Sequence, residues 1–269
     1  MSHRTNRRLI LALALAGALA ACSRTAPPAP AHTLRVAATA EPHAEILEFI
    51  KPDLAARGIK LEVKVFNDYV QPNIQVDQKQ LDLNYFETLP YLDQFNRDHG
   101  THLIAIVGVH IEPLGAYSRR FKTLAELPAG ATVAIPNEAS NEGRALLLLQ
   151  KAGLIRLARP TDPLSTLKDV AANPRSLKFR ELEGAMLPRT LDEVDLALIN
   201  TNYALNAKLD PTHDALVIED AHSPYVNYLV GRPDNADNAD VKALAAALTT
   251  PKVKAFIAAH YHGAVVAAF

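Results

Sequence analysis

TLRVAAT (Thr33–Thr39), PHAEILEFIKPDLAAR (Pro42–Arg57) and LEVKV (Leu61–Val65) decide the fold class of this chain. The first alternates as a strand does. The second places Leu47, Ile50 and Leu54 at helical spacing and ends at Gly58. The third alternates again, with Glu62 and Lys64 between apolar positions. A helix over Val70–Gln80, a strand over Leu81–Phe86 (LDLNYF) and a helix through Pro90–Asp98 follow. The rhythm is β-α-β-α-β. It predicts a mostly parallel sheet covered on both faces.

Further along, His102–Val109 reads as a strand, and Ile111–Ser118 (IEPLGAYS) as a Pro/Gly-punctuated crossover. A second cycle opens with a strand at Ala131–Pro136 and a helix from about Ser140 to Ala152, closed by Gly153. Leu177–Glu183, Asp195–Ile199, Ala215–Glu219 and Tyr225–Val230 are extended, and the C-terminus is helical from Val241 to Ile257. Two α/β cycles joined by extended crossovers predict two lobes with a ligand cleft between them. The lobes are expected at 33–115 plus 228–269 and at 116–227.

Upstream, Arg4, Arg7 and Arg8 precede an uninterrupted run of apolar or small residues from Leu9 to Ala21, ending in Leu19-Ala20-Ala21-Cys22. A basic start, a short apolar run and small residues before a cut describe a secretory signal peptide over 1–21. The run is shorter than the roughly 20 residues that an ordinary spanning helix needs. Ser23–Ala31 (SRTAPPAPA) reads as a stiff tether, part of a linker over 22–32. Cleavage would remove three Arg and no acid, moving the formal charge from −1 to −4.

With 49% hydrophobic and 21% charged residues among 269, collagen-like, low-complexity and largely disordered readings are excluded. Lys and Arg number 28 against 29 Asp and Glu, so no basic field points to nucleic acid. The sole cysteine rules out an internal disulfide and a thiolate cluster.

Pro136–Arg144 (PNEASNEGR) is the sharpest local feature. A strand ends there, Ser and Asn offer caps, and a helix begins with Arg144 in or just past its first turn. A helix start attracts anions and a guanidinium matches a carboxylate, so the segment suits an α-carboxylate. It equally suits a capped helix whose Arg pairs with a neighbouring acid. Asn202 and Asn227 lie in otherwise apolar runs, where they would accept from an ammonium or satisfy local backbone. Tyr69, Phe86 and Tyr91 would wall an apolar side chain or pack the core. The histidines are scattered: His43, His99 and His102 are not near an acidic run, so no metal site is expected. No nucleotide-binding or hydrolase motif occurs, and neither enzymatic activity nor a cofactor is expected.

The Cys22 segment resembles a bacterial lipobox. PHAEIL (Pro42–Leu47), DYVQPN (Asp68–Asn73), LDLNYFETLPYLDQFN (Leu81–Asn96), NEGRALLLLQKAGLI (Asn141–Ile155), ELEGAMLPR (Glu181–Arg189), DLALINTNYAL (Asp195–Leu205) and PYVNYLV (Pro224–Val230) resemble the NlpA/MetQ family of methionine-binding lipoproteins. The resemblance covers nearly all of the mature chain in order. It implies a two-lobed periplasmic-binding-protein fold with two mixed sheets, a lipidated Cys22, and methionine held between the lobes. It further implies that Arg144 pairs with the carboxylate and that Asn141, Asn202 and Asn227 hold the polar end. Tyr69, Phe86 and Tyr91 would enclose the side chain. The implied partners are an ABC importer's permease and ATPase, and a membrane through the lipid anchor, facing the periplasm or cell exterior.

One departure stands out. Where the family usually has Gln-His, this chain has Glu87-Thr88. Thr88 is smaller, so a wider or wetter side-chain pocket is expected, and Glu87 would bring a negative charge if it faces inward. D-methionine, another amino acid or a methionine-containing dipeptide are the alternative ligands. An envelope enzyme or an adhesin on the same fold is the rival reading.

Overall fold

The computed structural model describes residues 32–220 and 223–269. The signal sequence, Cys22 and most of the tether lie outside them.

The opening pattern folds much as its periodicity dictates. Strand β1 (His32–Ala38) leads through a wide turn at Ala40–Ala44 into helix α1 (Glu45–Ala55). The helix starts later than the Pro42 expected, because the residues before Glu45 form that wide turn, closed by the Ala44 N–H on the Thr39 carbonyl at 3.0 Å. Ile46, Leu47, Ile50 and Leu54 form its buried face. Gly58, at φ +79°, turns the chain where a side chain would be strained. Strand β2 (Ile59–Val65) then pairs parallel to β1.

Helix α2 (Gln71–Asp77), strand β3 (Leu83–Thr88) and helix α3 (Leu89–His99) complete the first cycle, with β3 parallel to β1 on its other side. Thr88 is the N-cap of α3, Pro90 sits in its first turn, and Gly100 ends it in the left-handed region. Strand β4 (Ile104–Ile111) follows. The expected crossover contains a short strand, β5 (Gly115–Tyr117), which enters the second sheet.

That sheet is built from β6 (Thr132–Pro136), β9 (Lys178–Leu182), β10 (Leu196–Ile199) and β11 (Ala215–Ile218) besides β5. Helix α4 (Ala139–Lys151) follows β6, and the small pair β7 (Arg156–Leu157) and β8 (Val170–Ala172) stands apart. Helices α5 (Thr201–Asn206) and α6 (Pro211–Asp214) follow β10. The chain then returns to the first sheet as β12 (Val226–Gly231), α7 (Ala239–Leu248), α8 (Pro251–Tyr261) and β13 (Val266–Ala267).

The sheets run β13-β4-β12-β3-β1-β2 and β11-β5-β10-β6-β9. Both are mixed rather than mostly parallel. The returning strand β12 inserts antiparallel between β3 and β4, and β5 runs antiparallel to β10 and β11. Each sheet has its own apolar core: Val36, Ile46, Leu83 and Leu244 in one, Val133, Ile135, Leu146 and Leu198 in the other. A third cluster joins Tyr69, Phe86 and Tyr91 to Ala197, Ile199 and Tyr203. It bridges elements carried by the two sheets, and beside it lies the cavity described next.

Candidate functional site

Polar residues collect where strands end. The C-terminal ends of β3, β4, β6 and β10 and the start of antiparallel β12 deliver their neighbouring residues to one cavity. Its lining contains all eight residues expected from the sequence: Tyr69, Phe86, Thr88, Tyr91, Asn141, Arg144, Asn202 and Asn227. Glu87, Glu112, Asn200 and Thr201 line it too. Of these four, only Glu87 is flagged by the sequence as a group that could face inward.

Arg144 combines both of its sequence readings. Its guanidinium is buried and pairs with Glu219, through Nε at 2.8 Å and Nη2 at 2.5 Å, while Nη2 also donates to the Glu112 carbonyl at 2.7 Å. Tyr225 stacks beneath it at 4.2 Å. Burial opposes the charge, but the Glu219 carboxylate outweighs burial and holds the pKa above its ordinary value. Nη1 is used in none of these bonds. The expected side-chain caps of α4 are absent: the N-cap residue Glu138 makes no side-chain cap bond, and Ser140 Oγ is buried without a partner among the described residues. What tightens this helix start is Gly143, where the backbone of Pro163–Ser165 passes too close for any side chain.

The asparagines are arranged differently from the ammonium-acceptor reading. Asn202 Oδ1 already accepts from the Tyr69 hydroxyl at 2.6 Å, and Asn227 Oδ1 lies 3.1 Å from His43 Nε2. Among the cavity-lining asparagines, the buried atoms without a partner among the described residues are Asn202 Nδ2, a donor, and Asn200 Oδ1, an acceptor. Asn200 Nδ2 donates to Asn141 Oδ1 at 3.1 Å, which fixes the direction of that free oxygen. Donors thus gather at Arg144 and Asn202, and Asn200 is the free acceptor among the lining asparagines.

Tyr69, Phe86 and Tyr91 form a wall, with Tyr69 5.7 Å from Phe86 and 5.8 Å from Tyr91 between ring centres. The Tyr91 hydroxyl donates to the Tyr69 carbonyl at 2.9 Å, and Tyr203 stacks on Tyr69 at 4.9 Å. These rings are core and wall together.

Beneath the cavity lies a buried network that sequence spacing did not reveal. Glu112 Oε1 sits 2.7 Å from His110 Nε2 and 3.1 Å from His43 Nε2. With a carboxylate oxygen facing both Nε2 atoms, each imidazole carries its proton there. The Nδ1 atoms then accept, from Thr39 Oγ1 at 2.7 Å for His43 and from the Tyr85 hydroxyl for His110. Burial lowers the His43 pKa to about 4, against the pull of Glu112, and that of His110 to about 3. Burial raises the Glu112 carboxyl, opposed by His43, Arg144 and the Asn202 N–H. His43 therefore does have an acidic neighbour, supplied by a distant segment. These three side chains are the group among the described residues whose donor atoms, within 4.8 Å of one another, could hold a metal ion. Their hydrogen bonds already satisfy one another, and the nearby Arg144 cation disfavours a second positive charge.

Glu87 faces the cavity, but the negative charge expected of it is corrected. Burial pushes its pKa up to about 8, despite hydrogen bonds from Asn73 and Asn84, so it is neutral at pH 7.

Comparison with known proteins agrees with this architecture. The NlpA lipoprotein family matches residues 34–269. The chain is 38% identical over 262 residues to the methionine-binding lipoprotein MetQ of Bacillus subtilis, covering 95% of this chain and 96% of that one. A nutrient-binding protein from Burkholderia cenocepacia, solved bound to methionine, superposes with a TM-score of 0.85 at 43% identity, covering 88% of this chain and all of that one (100%). A periplasmic substrate-binding protein of an ABC transporter from Coxiella burnetii gives 0.84 at 38% identity, covering 87% of this chain and 100% of its own. With the family matched across nearly every described residue, this chain belongs to the NlpA lipoproteins.

Proposed function

We propose that this chain captures methionine, or a closely related amino acid, outside the cytoplasm and hands it to an ABC importer. The observation that carries the reading is the pattern of unpartnered atoms in the cavity. Asn202 Nδ2 and the unused Arg144 Nη1 offer donors to a carboxylate, while Asn200 Oδ1 offers an acceptor to an ammonium. Glu112 lines the same cavity. The wall of Tyr69, Phe86 and Tyr91 suits the apolar side chain, whose burial contributes roughly 25 cal/mol per Å². The names of the relatives support the same ligand and transport role, and the reading assigns no catalytic step.

The lobes are 33–115 plus 228–269 and 116–227 in this reading. They close over the ligand, and the importer's permease and ATPase respond to the closed form because it binds them differently from the open one. Cys22 carries the lipid that anchors the protein to a membrane, with the domain facing the periplasm or cell exterior. Native mass spectrometry of the purified protein tests the ligand directly. A co-purified mass of methionine, exchangeable for added methionine, is expected. A chain that carries and takes up no amino acid would overturn the reading.

A further inference from the structure

His43 is not part of the cavity lining, yet both groups that face its Nε2 are: Glu112 Oε1 at 3.1 Å and Asn227 Oδ1 at 3.1 Å. The residue is only 1% exposed. Thr39 Oγ1 holds Nδ1 at 2.7 Å, and the Tyr85 and His110 rings pack against the imidazole with centres 4.8 Å and 4.9 Å away. Burial lowers its pKa to about 4, so at pH 7 the ring is neutral and carries one N–H. That proton lies on Nε2, because the Glu112 oxygen it faces already accepts from His110 Nε2 at 2.7 Å.

Asn227 must then turn its carbonyl oxygen towards His43. The flipped amide would set two donors against each other in a buried place. Strand β12 adds a second constraint, since Asn227 stands opposite His110 on β4 and Thr88 on β3. With the backbone and Oδ1 both held, Nδ2 is left for the cavity, and it makes no hydrogen bond among the described residues.

We propose that His43 is a positioning residue for ligand binding: held by Glu112 and Thr39, it locks the Asn227 amide with its NH2 group towards the cavity, where that group donates to the carboxylate of a bound amino acid. This rests on the amino-acid-binding reading above.

The lock matters because the two faces of an amide are alike in shape and opposite in polarity. An amide set before the ligand arrives spares the complex the cost of ordering it. Asn202 is set in the same sense, its Oδ1 taken by the Tyr69 hydroxyl and its Nδ2 left over. Together with Arg144 Nη1, the two NH2 groups form a set of donors, which a carboxylate satisfies and an ammonium does not. The alternative is that His43 only packs, so that its loss lowers stability without acting through Asn227.

Calorimetry with L-methionine separates the two, with the fold of each variant checked by circular dichroism. His43→Gln places an NH2 near the position of Nε2 and should keep affinity within about threefold of wild type. His43→Asn keeps a polar group near Nδ1 for Thr39 but none at Nε2, and affinity should fall about tenfold or more. In an Asn227→Ala background the same change should cost less than about threefold, since the amide it orients is gone. Asn227→Asp keeps an oxygen for His43 and exchanges the donor for a second acceptor, so it too should bind about tenfold or more weakly. A folded His43→Asn that binds as tightly as His43→Gln would overturn the proposal, as would an equal loss with and without the Asn227 side chain. An Asn227→Asp that binds like wild type would overturn it even if neither His43 variant folds. If wild type binds no amino acid, the underlying reading falls, and this proposal with it.

Discussion

The Arg144 guanidinium is anchored to Glu219 through Nε and Nη2, which leaves its third nitrogen for a ligand. Arg144→Ala is expected to weaken amino-acid binding by roughly 30-fold to several-thousand-fold, corresponding to about 2–5 kcal/mol for one partner of a buried charge pair. Circular dichroism should still report a folded chain, although Glu219 loses its cation and the melting temperature should fall. Affinity within threefold of wild type would remove Arg144 from the site. Thr88, in the cavity lining, is the second test. Thr88→His should narrow the pocket and favour methionine over bulkier or more polar side chains by about 1–3 kcal/mol, read as a changed ligand ranking in thermal shift. At this scale the sequence was readable where a residue stands beside a helix start or a strand end, as Arg144, Asn141 and Tyr91 do. It was not readable for Glu112 and His43, whose chemistry exists only once distant segments meet.

At the scale of elements, hydrophobic period located most strands and helices, because α1 and β2 each bury a face that their spacing announces, while β3 is buried along its whole length. Two features escaped it. β5 has only three residues, too few to show alternation, and is held by pairing with β10 and β11. The parallel bias failed because periodicity says nothing about the direction in which β12 re-enters its sheet. The start of α4 depends on a close approach that no propensity reports. A Cβ on Gly143 would lie 2.1 Å from the Pro163 carbonyl oxygen, a backbone atom that cannot swing aside. Gly143→Ala should therefore cost at least about 1–3 kcal/mol and lower the melting temperature by roughly 2–4 °C per kcal/mol. Because α4 carries Arg144 and Asn141, ligand affinity should fall with it. A melting temperature equal to wild type would show that the 163–165 segment yields freely.

At the scale of the whole molecule, attachment and stability are separable. Cys22→Ser is expected to abolish acylation, which metabolic labelling with a palmitate analogue would read directly. Label retained on that variant would exclude Cys22 as the anchor. The fold itself should have a stability optimum set by buried titrating groups. His43 and His110 are held neutral, with pKa values near 4 and 3 against an ordinary 6.5. Their contribution is complete above pH 6.5 and is lost as the pH falls towards 4, because the unfolded chain takes up protons that the folded one refuses. Glu87 acts in the opposite sense. Its pKa rises from 4.5 to about 8, so its contribution is complete below pH 4.5 and is lost as the pH climbs to 8. Glu112, also raised, adds to that alkaline limb. A tenfold change in proton affinity between the unfolded and folded chain corresponds to about 1.4 kcal/mol, so the two limbs should each amount to on the order of a few kcal/mol. Urea unfolding between pH 4 and 8.5 should trace a maximum between the two limbs. Glu87→Gln, which cannot ionise, should flatten the alkaline limb and leave the acid limb in place. An alkaline limb as steep in Glu87→Gln as in wild type would mean that Glu87 is ionised in the folded protein at neutral pH, with a pKa near that of an ordinary carboxylate.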